Sequence, residues 1–172
     1  MDSKELKFIR LGLRNHGSST RLRMRWDCSP RTCAAVTTML PVESQVYHAK
    51  YANNEIYNLV PLPEPIPPQE WTCLYPGPGD LLFAPVSSLQ TGGFSGGNTL
   101  SNQEMPVNEE GLILDFAFFY ERGNTLISPY GISPTTLFAT GTSFEELEEF
   151  AEACRDVWFS GAAGETMYIE PD

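Results

Sequence analysis

The feature that most constrains the fold is a strictly alternating segment at residues 20–26. Its side chains alternate between two sets. The apolar set is Leu22, Met24 and Trp26, and the cationic set is Arg21, Arg23 and Arg25. Successive side chains of a β-strand point to opposite faces, so the pattern predicts a strand with one face in a core. The arginine face is expected to be solvated and paired with carboxylates; the functional alternative is a site for a small anion.

A short helix is predicted directly after this strand. Ser29 is a favoured N-cap, and Pro30 suits the first helical position because it lacks the N–H that would be unpaired there. Cys33 and Val36 share one face, which should be buried. Pro41 is expected to stop the helix.

A β-hairpin is predicted next. Two extended segments, residues 42–51 and 55–60, flank Asn53 and Asn54. Asparagine tolerates a positive φ, so these two residues are expected to form a two-residue hairpin loop. The loop length then sets the register of the two strands.

That register defines the candidate ligand-binding residues. It brings His48, Lys50, Glu55 and Tyr57 to one face of the hairpin, with Arg31 at the start of the helix as a neighbour. Several polar side chains that converge on one surface are what a small polar ligand requires. The alternative is an ordinary solvated hairpin face.

The remaining patterns favour one mainly β domain that spans residues 1–172. Further strands are predicted at residues 5–13, 80–86, 112–121, 136–139 and 166–169. A final helix should begin at a capping box formed by Ser143 and Glu146, and it presents an apolar stripe composed of Leu147, Phe150, Ala151, Cys154, Val157 and Trp158. The chain is long enough to bury a core without disulfides.

Two long segments lack periodicity. Residues 61–79 contain seven of the 14 prolines, which predicts a rigid crossover in the polyproline II conformation. Residues 87–111 are polar and rich in glycine, which predicts a flexible loop.

Charge and hydropathy exclude several partners. The net charge is −11; residues 1–31 carry eight Lys/Arg against three Asp/Glu, and residues 32–172 carry three against nineteen. This excess of acid argues against nucleic acid. The longest apolar run, residues 112–120, contains Asp115 and is far shorter than the roughly 20 residues of a membrane span. We expect a cytoplasmic protein with no membrane partner and with its four cysteines reduced.

No catalytic, metal or cofactor motif is supported. Residues 93–97 fit the G-x-S-x-G pattern of a nucleophile elbow, but both histidines, His16 and His48, precede it. Two histidines without carboxylates at ligand spacing predict no metal site. The expectation is therefore no metal and no cofactor.

Four segments together resemble cyclophilin-like domains. Residues 29–36 are similar to the helix that follows the second strand of that family, and residues 48–51, 55–57 and 78–83 resemble small bacterial cyclophilin-like proteins of unknown function. The similarity covers about residues 5–85. It implies a mainly β fold, a closed antiparallel β-barrel capped by two or three helices.

Three functions remain open. The first is a small-ligand binding or enzyme-accessory protein. The second is a hydrolase acting on a small amide or cyclic imide, with His48 as general base oriented by Glu55 or Tyr57. The third is a prolyl isomerase or peptide-binding protein, although the Phe-His-Arg-Val-Ile-Pro-Gly-Phe run of true cyclophilins is absent. The oligomeric state is open, and a homo-oligomer is compatible with the sequence.

Overall fold

The computed structural model describes residues 5–87, 107–128, 131–160 and 164–172. Most of the loop predicted at residues 87–111 lies outside these residues. Within them, no helix has both the length and the apolar character needed to cross a membrane.

The described residues form eleven strands and two helices. In chain order these are β1 (Phe8–Leu13), β2 (Ser18–Met24), α1 (Pro30–Met39), β3 (Val42–His48), β4 (Glu55–Val60), β5 (Thr72–Cys73), β6 (Leu81–Ser87), β7 (Leu112–Phe119), β8 (Ile127–Ser128), β9 (Gly131–Ile132), β10 (Thr135–Gly141), α2 (Phe144–Ser160) and β11 (Thr166–Pro171).

Eight of these strands close into an antiparallel barrel. Their hydrogen-bonded order is β2-β1-β11-β3-β4-β7-β6-β10, and β10 also pairs with β2. That last pairing joins the two ends of the sheet, so the eight strands leave no open edge between them. The prediction of a mainly β, closed antiparallel barrel with helices is confirmed.

The barrel interior is filled by one side-chain set from each strand. Leu22 and Met24 are buried there, as the alternation of β2 predicts, together with Phe116 and Phe138, whose rings lie 5.7 Å apart. Trp26 lies beyond the strand and is only partly buried; its Nε1–H donates to the Leu6 carbonyl.

The arginine row of β2 is paired largely as predicted. Arg21 Nε donates to the Asp172 carboxylate at 2.6 Å, and Arg25 Nε donates to Asp27 at 3.0 Å. Arg23 is exposed. These contacts support the interpretation of a solvated, carboxylate-paired face.

Helix α1 begins where the sequence predicts, but a different side chain caps it. The Ser29 hydroxyl donates to the Leu137 carbonyl instead of accepting from the helix. The Glu70 carboxylate accepts from the backbone N–H of Arg31 and Thr32 and from the Thr32 hydroxyl. The proline-rich segment therefore supplies the cap.

Helix α2 follows the predicted stripe with one correction. Ser143 Oγ accepts from the Glu146 N–H, as a cap should, while the Glu146 carboxylate accepts from the Arg21 N–H of β2. Phe150 and the rest of the stripe up to Val157 are buried or half-buried. Trp158 belongs to the predicted stripe but is 55% exposed; it lies at the end of the stripe, where its ring packs edge-on against His48.

The strand predicted at residues 136–139 is longer and more central than expected. It extends over all of β10, where it pairs with β6 on one side and with β2 on the other. The apolar part of this strand is short, residues 137–139, and hydrophobic pattern alone therefore indicated a short element. The threonines on either side favour extended structure, and pairing with β6 and β2 carries the strand through to Gly141.

Candidate functional site

The hairpin of β3 and β4 has a different register from the one predicted. His48 lies opposite Ile56 instead of Leu59, and Tyr47 lies opposite Tyr57. The pairing is thus shifted by three residues. Because an odd shift reverses which side chains of β3 share a face with a given side chain of β4, the predicted grouping changes. Along the strands, His48 therefore faces away from Glu55 and Tyr57, which corrects the predicted face.

The connecting loop is longer than two residues because its asparagines bind the chain elsewhere. Asn53 has a φ of 68°, as predicted for a turn residue. The Asn54 side chain donates to the Arg122 carbonyl, and the Asn54 N–H donates to the Asn124 side chain. Residues 49–54 are thereby held against the segment that follows β7.

His48 is fixed by hydrogen bonds at both ring nitrogens. Nδ1 lies 2.9 Å from the Ala49 carbonyl, to which it can only donate. Nε2 must then accept from the Tyr120 hydroxyl at 2.7 Å. The ring also packs edge-on against Trp158, and burial lowers the pKa of His48. A base with both nitrogens occupied is poorly placed for proton transfer.

A cavity of about 120 Å³ lies on the outer face of the barrel. Its floor is formed by β4, β7 and β6, at positions that alternate with the residues of the barrel interior. Residues 48–52 and 126–135 contribute the remaining described part of the wall.

Small side chains create the space. Ala117 lies opposite Tyr57 on one side and Leu82 on the other, and Ala84 lies opposite Asp115. An alanine between larger neighbours leaves a depression in the surface of a sheet. Here the depression is bounded by Glu55 at one end of β4.

Two carboxyl groups face this cavity. Glu55 is only 6% exposed, and no hydrogen bond to its carboxyl is found within the described residues. Asp115 is half-buried, and its Oδ1 atom is buried without a partner there. Burial raises the pKa of both groups, and for Glu55 the charge of Asp115 raises it further. Two such carboxyls tend to retain a proton between them.

Tyr57 lies in the same polar environment. Burial raises the pKa of its phenol, and the charges of Asp115 and Glu55 raise it further. The phenol therefore stays protonated and can donate a hydrogen bond. Its ring lies 5.4 Å from that of Tyr47.

The structure brings four of the five predicted site residues to this cavity. His48, Lys50, Glu55 and Tyr57 belong to its wall, whereas Arg31 is exposed at the start of α1 and is not among the lining residues. Lys50 lies in the connecting loop and is itself exposed.

Asp115 was missed as a site residue. In the sequence, Asp115 stands out only as a charged residue within the apolar run at residues 112–120. A lone carboxylate in a strand that is apolar on both faces is costly to bury. The cost of burying this carboxylate could have identified Asp115 as a candidate functional residue from the sequence.

A metal centre finds no support in the part of the chain that is described. No three side chains among its His, Cys, Asp and Glu residues are grouped closely enough to hold an ion. The polar groups on the floor of the cavity are the two carboxyls and the Tyr57 hydroxyl.

Two solved structures have a similar fold. The structure of McbB in complex with tryptophan matches with a TM-score of 0.63 and 16% sequence identity, over 95% of this chain and 44% of that chain. The chain thus spans less than half of McbB. The solution structure of the hypothetical protein AF2241 from Archaeoglobus fulgidus matches with a TM-score of 0.50 and 17% identity, over the full length of both chains. At these identities the similarity concerns the fold alone.

Sequence comparison identifies a family. No curated protein matches the chain significantly. The model of a family described as a protein of unknown function, DUF3830, matches residues 11–169. Neither this description nor the two structures name a cyclophilin, so that resemblance stays an expectation. The match covers most of the sequence, and the chain therefore belongs to the DUF3830 family.

Proposed function

We propose that the protein binds a small organic molecule in the cavity on the outer face of its barrel. The observation that carries the proposal is the buried Oδ1 atom of Asp115, which borders a cavity beside the buried Glu55 and has no hydrogen-bond partner within the described residues. A buried polar group without a partner costs about 1–3 kcal/mol, and more when it is charged. A ligand that supplied the missing partner would remove that cost.

Another glutamate of the same chain shows what a structural carboxylate looks like. Glu165 is 4% exposed and accepts hydrogen bonds from the backbone of Asn15, His16 and Thr166 and from the His16 ring. Burial alone would raise its pKa, but these bonds outweigh burial and lower it. Glu55 is about as buried, and its pKa moves in the opposite direction.

The size and lining of the cavity fit a compact ligand. A cavity of about 150 Å³ accommodates benzene, so a cavity of about 120 Å³ holds a slightly smaller group, and a ring can extend past Ile127, which is 47% exposed in the wall. Ala117 and Leu126 supply apolar contacts, while the two carboxyls and Tyr57 supply orientation. A mostly apolar pocket with a few convergent polar groups is the usual form of such sites.

The similarity to McbB is compatible with this proposal. Part of that protein has a similar fold, and its structure was solved in complex with tryptophan. A barrel of this type can therefore belong to a protein that binds a small molecule, but the ligand of this chain does not follow from that of McbB.

A thermal-shift screen with small metabolites of all charge types tests the proposal. We expect at least one compound to raise the melting temperature of the wild type. Ala84→Leu should abolish that shift, because it fills the cavity at a half-buried position. Ala34→Leu, on the exposed face of α1, is the matched control and should retain it. If no compound binds, or if Ala84→Leu binds as the wild type does, the proposal is wrong.

Hydrolysis of a small amide or cyclic imide is a second candidate, favoured by the carboxyl pair. With one proton between Glu55 and Asp115, the ionised carboxylate would accept a proton from a water molecule while that water attacks the carbonyl carbon of the substrate. The carboxylic acid would give its proton to the departing nitrogen. His48 has no part in this scheme because both of its ring nitrogens are occupied. Formation of a new carboxylic acid from hits of the screen would distinguish turnover from binding.

A further inference from the structure

Resting on the proposed function, we infer that the ligand is a small primary amine, bound as a cation with its ammonium group between the Glu55 and Asp115 carboxylates.

The two carboxyls are arranged as acceptors for one cationic group. Glu55 and Asp115 lie on adjacent antiparallel strands and on the same face of the sheet, and the cross-strand pair of Tyr57 and Ala117 lies between their positions. The small side chain of Ala117 leaves space on the β7 side of this pair. An ammonium group has three N–H donors and no acceptor, so it can satisfy oxygens of both carboxylates at once.

The charge of the surroundings favours a cation over an anion. Among the described residues that line the cavity, the titratable groups are His48 and Tyr57 of the hairpin strands, Lys50 and Tyr51 of the loop, and the two acids. The lining residues described on β6 and after β7 are apolar or carry hydroxyls, namely Ala84, Val86, Leu126, Ile127, Ser133 and Thr135. The interior end of the site is thus acidic, and an anionic ligand would meet repulsion there.

Protons are linked to binding in a defined direction. In the free protein the pair retains a proton at neutral pH, because burial raises the pKa of Glu55 and raises that of Asp115 to about 8. A bound ammonium favours the ionised carboxylates and so expels a proton. Affinity should therefore increase as the pH rises from 5 to about 8, until the carboxyls of the free protein are ionised.

The other end of the ligand should be apolar. Ile127 is 47% exposed and lines the cavity together with Val86 and Leu126. An amine with a short hydrocarbon or ring would cover this apolar surface while its nitrogen reaches the acids.

The experiment compares benzylamine with benzyl alcohol, which has a similar shape but no charge, and with benzoate. Isothermal titration calorimetry at pH 7 in two buffers of different ionisation enthalpy measures the number of protons released. We expect benzylamine to bind with net proton release and benzyl alcohol and benzoate to bind at least tenfold more weakly. A graded series of primary amines from methylamine to phenethylamine covers the size range.

Charge-removing variants localise the effect. Glu55→Gln and Asp115→Asn should each weaken amine binding at least tenfold and reduce the proton release, whereas Glu148→Gln, an exposed change on α2, should alter neither. Thermal unfolding of each ligand-free variant shows whether it is folded. The pH dependence of wild-type affinity is an independent measurement that needs no variant.

The outcomes separate the inference from the function on which it rests. If neutral or anionic compounds bind and no amine does, the inference is wrong and the proposed function stands. Equal binding of benzyl alcohol, or affinity that falls between pH 5 and 8, also overturns the inference. If compounds of every charge type fail to bind, the proposed function is wrong and the inference falls with it.

Discussion

His48 accepts a 2.7 Å hydrogen bond from the hydroxyl group of Tyr120, which ties the last residue of β3 to the residue that follows β7. Tyr120 is buried, so loss of this acceptor leaves a hydroxyl without a partner. We expect His48→Ala to lower the free energy of unfolding by about 1–3 kcal/mol. Urea denaturation of the wild type, both single variants and the double variant with Tyr120→Phe measures the coupling. Purely additive effects would contradict it.

The protonation of His48 should be displaced to low pH. Burial lowers its pKa, and the hydrogen bond to Ala49 only partly opposes the shift. The unfolded chain then binds the proton first as the pH falls below about 6.5, so stability from this group is present at neutral pH and is lost in acid. An NMR titration of the imidazole resonances measures the midpoint. A midpoint for His48 above about 6.5 would contradict the prediction.

The Glu55–Asp115 pair should make the free protein less stable as the pH rises. The folded-state pKa of Asp115 is raised to about 8, while the unfolded chain ionises near pH 4. Between these values the folded state holds more protons than the unfolded state, so stability falls with increasing pH.

Asp115→Asn should reduce the loss of stability with rising pH, because the amide group does not titrate. We expect the difference in unfolding free energy between wild type and variant to change by at least about 1.4 kcal/mol between pH 5 and pH 8, in favour of the variant at the higher pH. Guanidinium denaturation at the two pH values provides the measurement. Parallel pH profiles for wild type and variant would show that Asp115 is ionised normally.

Glu70 should contribute to stability as the cap of a helix that is distant from it in sequence. Its carboxylate accepts from the N–H and hydroxyl of Thr32, at 2.9 and 3.0 Å. Glu70→Ala should cost about 1–2 kcal/mol, the usual cost of losing an N-terminal cap. Glu64→Ala removes an exposed carboxylate from the same segment and serves as the control. Equal chemical denaturation midpoints for the two variants would argue against a capping role.

Local patterns predicted the elements that are locally determined. The alternation of β2 and the proline that begins α1 involve only neighbouring residues, and both interpretations agree with the structure. The closed barrel followed from the resemblance of four short segments to a known fold. None of these inferences required a knowledge of which residues meet across the barrel.

The features that were wrong or missed depend on distant contacts. Asn54 does not close a two-residue turn because its side chain binds the Arg122 carbonyl, 68 residues away, and the register of the hairpin changes with it. The cap that Glu70 provides could not be predicted either, because Glu70 lies 38 positions from Thr32 in the sequence. Asp115 joins Glu55 only because β7 pairs with β4. The four site residues predicted from the hairpin all line the cavity, although the strand register from which they were predicted is wrong.

The position of β11 has a consequence for biosynthesis. This strand pairs with β1 on one side and with β3 on the other, so it fills the gap between elements that precede it by more than a hundred residues. During translation β1 and β3 each retain an unpaired edge until residues 166–171 have left the ribosome, and such edges promote association between chains. A nascent chain stalled at residue 160 should therefore depend on chaperones, and the barrel can close only after its last strand is released.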